Sequence, residues 1–408
     1  MSTKHPTLAD AQALDARYVM HTYARKPVMF VRGSGMHLWD DAGREYLDFV
    51  AGIGAVNLGH AHPAVTAAIA EQAAKLTHVS NLYYVEHRAE LAEDIVTLAG
   101  GGKQVFFANS GTEAVEGAIK LARRWGKKHH GDKCVEIVTA ERSFHGRTLA
   151  ALAATGQPSK QEAFEPLPAG FSHVPLNDLA ALEAAVTADT CAVMLEPIQG
   201  EGGVYPCDTD YLLAARALCD ERGILLVLDE VQTGCYRTGS AFAFQAYGVE
   251  PDIFTLAKSL ANGLPIGAVV ATTEVAAAFE PGDHGSTFGG GPLVCAAGRA
   301  TLATLAAEHL GERALQTGAY LHKALHELMA ATGAVNDIRR AGLMAGVELH
   351  EPRAAEACAF ALQHGSVLNN IGPHILRILP PLVCGNAEID TLVGVLYEFL
   401  ATDHLRSS

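Results

Sequence analysis

Two apolar runs in this chain end on groups that can do chemistry. "LLVLDEVQTG" places Asp229 at the end of one run, and "PDIFTLAKSL" places Lys258 just past the end of another. Strands of parallel α/β proteins present reactive side chains at their carboxyl ends in this way. A lysine amine can capture a carbonyl, and a carboxylate beside it can keep a ring nitrogen protonated. The pair suits an aldehyde-bearing heterocycle. Taken singly, Lys258 reads as a surface lysine and Asp229 as a helix cap, so the neighbouring motifs must decide.

The first of these is "NSGTEAVEGAIKLARRW", directly after the apolar "QVFF". Ser110 followed by Glu113 predicts a capping box. Val115, Ala118, Ile119 and Ala122 repeat at helical spacing. A glycine-containing turn thus feeds a helix N-terminus, whose free N–H groups and positive dipole end can seat a phosphate on Ser110, Gly111 and Thr112. An ordinary capped helix carries the same pattern. "SFHGRT" sets Phe144 and Arg147 three residues apart, an aromatic face for a planar ring and a fork for a carboxylate. "EPIQGEGG" puts Glu201 in a glycine-rich loop, and "RILPPLV" puts Arg377 in an apolar run, where it must meet an anion or turn outward. "HGSTFGGG" offers the hydroxyls of Ser286 and Thr287 among glycines that allow close backbone approach.

The elements that position these residues follow from the patterning. Residues 28–49 read as a small β-meander and "PAVTAAIAEQAAKL" as a helix. From about residue 104, "QVFFAN", "CVEIVTA", "CAVMLEPI", "GILLVLDEV", "DIFTLAK" and "GAVVATT" alternate with helical segments, the pattern of a mostly parallel sheet covered on both faces. Beyond about residue 295 a long Ala/Leu-rich helical stretch is expected to about Met329. "GLMAGVEL" and "HILRILPPLV" read as strands, with helices around "AAEACAFALQH" and "EIDTLVGVLYEFL". The expected division is an N-terminal segment of a small domain over 1–66, a large cofactor-binding domain over 67–298, and the rest of the small α+β domain over 299–408.

Composition narrows the function. With 408 residues, 49% hydrophobic and 18% charged, the chain has the makings of a two-domain soluble enzyme. A formal net charge of -15 argues against nucleic acid or an anionic membrane as partner. Eight scattered cysteines without a CxxC pair read as reduced packing residues of a cytoplasmic protein. The histidines of "GHAHP" and "KKHHGDK" read as turn and surface residues, and no metal site is expected. A nicotinamide oxidoreductase would need a complete G-x-G-x-x-G, which is absent. A non-enzymatic relative would be expected to lose Lys258 or Asp229, and both are present.

With "YLDFVAGIGAVNLGHAHP", "SFHGRTLAALAATGQP", "LEPIQGEGGV", "LDEVQTG", "TLAK", "PIGA", "HGSTFGG" and "LPPL" in order, the chain resembles the class III, fold type I pyridoxal-phosphate aminotransferases, from about residue 28 to about 400. The resemblance implies a large domain with a mostly parallel seven-stranded sheet and a small α+β domain from both chain ends. It implies that Lys258 takes the aldehyde of pyridoxal 5'-phosphate, that Asp229 pairs with the ring nitrogen, that Gln232 bonds the phenolic oxygen and that Phe144 stacks on the ring. Ser110, Gly111 and Thr112 would hold the phosphate, and Thr287 would reach the phosphate in the other subunit of a homodimer. Arg147 and Ser286 would meet substrate. Arg377 would bind the α-carboxylate of 2-oxoglutarate or glutamate, with Glu201 covering it when the amine donor is bound. The implied donor is N-acetylornithine, with succinylornithine, ornithine and 4-aminobutyrate as alternatives. Ile53 fits the acetylornithine type, whereas Val115, Tyr236 and Gly291 depart from the usual pattern.

Overall fold

Unbroken burial on both faces marks the central strands. Thr190–Leu195 and Leu225–Asp229 are buried at every position, so neither face can meet water and both must be covered by helices. The computed structural model describes residues 6–401. Its seven-stranded sheet runs in the order Lys103–Ala108, Gly267–Thr272, Ile253–Leu256, Leu225–Asp229, Thr190–Leu195, Glu136–Ala140, Phe171–Val174. Gly267–Thr272 is antiparallel to both neighbours, and the other pairings are parallel. On one face Ala192, Met194, Leu225 and Val227 share a core with Ala118, Ile119 and Ala122 of the helix Gly111–His130. On the other, Val193, Leu195, Leu226 and Leu228 pack with Tyr211, Leu212 and Leu218 of the helix Thr209–Arg222. Each buried valine, leucine, isoleucine or methionine among them contributes roughly 1.5–3 kcal/mol relative to exposure.

Both chain ends build the second lobe. Phe30–Ser34, His37–Asp40 and Glu45–Asp48 form an antiparallel meander, and Ser366–Val367 pairs in parallel with Glu45–Asp48. Val335–Ala341, Met344–Leu349, Ile375–Ile378 and Asn369–Ile371 form an antiparallel sheet beside it. Arg237, fully buried, ties the lobes together. Its guanidinium donates to Leu343 O at 3.0 Å, to Pro380 O at 2.6 Å and to Asn57 Oδ1. Burial pushes its pKa down to about 9. The expected boundaries at 66/67 and 298/299 fall inside the helices Pro63–Lys75 and Pro292–Ala307, which pack on each other. We propose them as limits of lobes that are continuous through those helices; limited proteolysis that cuts readily at either position would count against that continuity.

Several local expectations need correction. The long helical stretch to Met329 consists of two helices, Pro292–Ala307 and Leu310–Thr332, separated at His309 with φ 51°. No proline marks that break, and Gly311 lies just inside the second helix. The second helix runs on to Gly333, whose φ of 61° caps it. Ser110 caps its helix, accepting from Glu113 N at 3.3 Å, but the capping box does not close. The Glu113 carboxylate instead accepts from Asn109 N at 2.6 Å and Asn109 Nδ2 at 2.8 Å. His60 stands in a turn, half-buried, and its Nε2 lies 2.8 Å from the buried carboxylate of Asp48. Among the described residues no helix is long and apolar enough to cross a membrane.

Candidate active site

Adjacent strands bring Asp229 and Lys258 together. Leu225–Asp229 pairs with Ile253–Leu256 so that Asp229 stands opposite Thr255, three residues before Lys258. Thr255 Oγ1 donates to Asp229 Oδ1 at 3.0 Å, as does Val231 N at 3.1 Å, and His145 Nδ1 donates to Oδ2 at 2.8 Å. With both oxygens engaged and 5% exposure, the carboxylate is fixed in place. Lys258 takes φ 45°, a left-handed conformation that non-glycine residues adopt at a cost of about 1–3 kcal/mol. Burial pushes its amine down to about 8, helped by Arg377 and opposed by Glu201 and Asp229. Both side chains line one cavity of about 390 Å³.

The helix Gly111–His130 points its N-terminus at the same space, with Ser110, Gly111 and Thr112 in the cavity wall. A Cβ on Gly111 would lie 2.9 Å from Val231 Cγ1, so a side chain there would disturb the wall. Thr112 Oγ1 accepts from Arg147 N and Thr148 N, each at 3.2 Å, which fastens the "HGRT" loop to the helix start. Phe144 and Arg147 also line the cavity, the guanidinium carbon 5.6 Å from the ring centroid.

Arg377 is 1% exposed and meets its anion. Nη1 donates to Glu201 Oε1 at 2.5 Å, to Gly200 O at 3.3 Å and to Gln232 Oε1 at 3.4 Å. Burial opposes charge on Glu201, but Arg377 outweighs it and holds the carboxyl below its ordinary range. Glu201 and Gln232 line the cavity, and Arg377 touches it through them. Ser286 and Thr287 are not in that wall. Ser286 Oγ accepts from Asn109 Nδ2 at 3.1 Å beside it, and Thr287 is exposed.

Two buried groups escaped the sequence reading. His145 is fully buried on Asp229; burial disfavours its charged form, but the carboxylate hydrogen bond prevails and raises its pKa. Glu196 accepts from Phe144 N at 2.9 Å and from Gly200 N at 3.3 Å, and burial pushes it up to about 7. It follows the strand Thr190–Leu195 as Asp229 ends its own, and that shared pattern is the signal that would have found it.

These residues fit pyridoxal phosphate. They offer an amine of lowered pKa for the aldehyde, an immobilised carboxylate for the ring nitrogen, and a helix start cleared by glycine for the phosphate. A family model described as Aminotransferase class-III matches residues 18–400. The acetylornithine aminotransferase of Gloeobacter violaceus is 53% identical over 381 residues, covering 93% of this chain and 95% of its own. Among solved structures, the acetylornithine aminotransferase of Elizabethkingia anophelis aligns with TM-score 0.87 and 33% identity over 97% of this chain and 99% of that one. The ornithine aminotransferase of Toxoplasma gondii, whose structure shows partial occupancy of PLP at the active site, aligns with TM-score 0.93 and 33% identity over 99% and 97%. With a match across nearly its whole length and the cofactor's requirements met in one cavity, the chain belongs to the class-III aminotransferases.

Proposed function

We propose that this pyridoxal-phosphate-dependent aminotransferase moves the terminal amino group of N2-acetyl-L-ornithine to 2-oxoglutarate. The products are N-acetyl-L-glutamate 5-semialdehyde and L-glutamate, a step of arginine metabolism. The carrying observation is the buried Arg377–Glu201 pair at 2.5 Å. The reacting end of acetylornithine has methylenes and no carboxylate, whereas glutamate has a carboxylate on the reacting carbon. An uncovered guanidinium facing methylenes would be a buried unpaired cation. Glu201 covers it for the first donor, and its withdrawal presents Arg377 to the α-carboxylate of the second. Arg147, exposed at the cavity, is available for the donor's far carboxylate, and Ser286 lies nearby through Asn109. The 53% identity to an acetylornithine aminotransferase supports the same donor. Initial rates with N-acetylornithine, succinylornithine, ornithine and 4-aminobutyrate, each with 2-oxoglutarate, test this; a higher kcat/KM for any of the last three overturns it.

The bound cofactor supplies the aldehyde that receives the amino group and a ring that spreads carbanion charge. The protein does the rest. Ser110, Gly111 and Thr112 would hold the phosphate, and Phe144 and Gln232, which line the same cavity, would face the ring and its phenolic oxygen. Asp229, immobilised by Thr255, Val231 and His145, keeps the proton on the ring nitrogen. Lys258 Nζ lifts the proton from the amine-bearing carbon. For Glu201→Ala, the acetylornithine half-reaction should slow by roughly 10–100-fold and the glutamate half-reaction by less than about threefold. Equal losses in single-turnover kinetics would remove the exchange.

We further propose a homodimer in which Thr287 reaches the phosphate of the partner's site. Leu82, Tyr83 and Phe288 are 84%, 65% and 64% exposed, and Asn81 Nδ2 ties that segment to Ser286 O at 2.7 Å. Exposed apolar surface beside the site is what a second copy would cover. Sedimentation at the 43.0 kDa mass of one chain would end this reading. The eight buried free cysteines favour a reducing compartment, the cytoplasm; a variant or native sample with disulfides between them would count against it.

A further inference from the structure

Glu201 stands in the tip of a short hairpin whose arms are Ile198–Gln199 and Tyr205–Pro206. That hairpin is gripped from both lobes, outside the cavity. On the large-lobe side, Gln199 Nε2 donates to Glu141 O at 2.8 Å, and Arg142 lies over the Tyr205 ring at 4.7 Å. On the small-lobe side, Arg339 of the strand Val335–Ala341 covers the same ring at 4.1 Å and donates from Nε to Gly203 O at 3.1 Å. Glu348 of the neighbouring strand Met344–Leu349 accepts from Tyr205 Oη at 3.2 Å and from Arg339 Nη1 at 2.7 Å. Burial opposes charge on Glu348, but Arg339 outweighs it and keeps the carboxyl below its ordinary range, so the group stays ionised. The strands also touch the hairpin directly: a Cβ on Gly346 would lie 2.8 Å from Gly203 O.

Glu201 must leave Arg377 for the site to accept a carboxylate on the reacting carbon. The loop that carries Glu201 is itself held from outside, at the backbone oxygen of Gly203 and at the ring of Tyr205. We propose that Arg339, Tyr205 and Glu348 form a clamp that sets how readily Glu201 leaves Arg377, and so biases the site toward donors lacking that carboxylate. They are positioning residues, none of which lines the cavity. The apparent affinity for a dicarboxylate scales with the fraction of molecules in which Arg377 is uncovered, so loosening the clamp must tighten that binding.

The proposal rests on the Glu201–Arg377 exchange, and one experiment separates the two. Glutarate, which binds without reacting, is titrated calorimetrically into the holoenzyme. Arg339→Met keeps the aliphatic stem and removes the guanidinium; it should lower the glutarate Kd by about fivefold and slow the acetylornithine half-reaction by a similar factor. Tyr205→Leu is read in the same way should the first variant not fold. Glu201→Ala should lower the Kd further, and adding Arg339→Met to it should change nothing more. If Glu201→Ala tightens glutarate but neither clamp variant does, the clamp is wrong and the exchange stands. If Glu201→Ala does not tighten glutarate, the exchange falls and the clamp falls with it.

Discussion

Replacing Lys258 with alanine should reduce turnover of every donor by at least about 10⁴-fold, because in the proposed mechanism one group both captures the aldehyde and moves the proton. The effect should be equal on both half-reactions, unlike that of Glu201→Ala. The variant should still bind pyridoxal phosphate through Asp229, Ser110, Gly111 and Thr112, but borohydride should no longer fix the cofactor to the chain. Steady-state activity within tenfold of the parent would overturn the assignment. The parent carries its own check. Burial has moved the Lys258 amine from 10.5 to about 8, so below pH 8 the neutral form is roughly 300-fold more abundant than for an ordinary lysine. The rate at which cofactor-free protein captures the aldehyde should therefore rise about tenfold per pH unit and level off near pH 8. A rise continuing to pH 10 would show an unperturbed lysine.

Lys258 and Asp229 were legible because each stands at the end of an apolar strand, and strand ends in parallel sheets face the same way. Their juxtaposition was not legible. It depends on the register that sets Asp229 opposite Thr255, and on the left-handed turn at Lys258 that swings the amine into the cavity. Arg377 was legible in a different way: a guanidinium in an apolar run forces a search for an anion, and the structure supplies Glu201. Six of the seven central strands stand out as apolar runs. The seventh, Phe171–Val174, is a half-polar edge strand of four residues and does not. Val335–Ala341 carries an Asn-Asp pair, an Arg-Arg pair and a register shift between Val335 and Asp337, so no alternation shows.

His145 shows where a motif reading stops. In "SFHGRT" the residues on either side of it, Phe144 and Arg147, have the types that suit a ring and a carboxylate, and they drew the interpretation. The histidine's role comes from a contact 84 residues away along the chain. Thr287 marks the opposite limit: its exposed position in one chain carries meaning only if a second copy is opposite it. Contacts at long sequence separation or between copies leave no local pattern, whereas caps, strand ends and buried charges do.

Asp229→Asn is the second severe loss, expected at about 10³-fold in kcat, the scale for removing one preorganised electrostatic partner from a dry site. The amide keeps the shape and can still accept from Thr255 and Val231, but it has no charge with which to hold a proton on the ring nitrogen. Both half-reactions should slow together, and Asp229→Glu, which restores charge at the wrong distance, should recover part of the loss. Activity of Asp229→Asn within tenfold of the parent would remove the ring-nitrogen role. The same substitution has a structural signature that needs no cofactor. Asp229 raises the pKa of His145 above its ordinary value, so the pair contributes stability that is complete below the unfolded-state value near 6.5 and is lost as pH climbs through the folded one. Without the carboxylate that contribution vanishes. The Tm deficit of cofactor-free Asp229→Asn should accordingly be largest near pH 6 and shrink toward pH 9. A deficit that stayed constant from pH 6 to pH 9 would mean that His145 is neutral in the parent and holds Asp229 only as an uncharged donor.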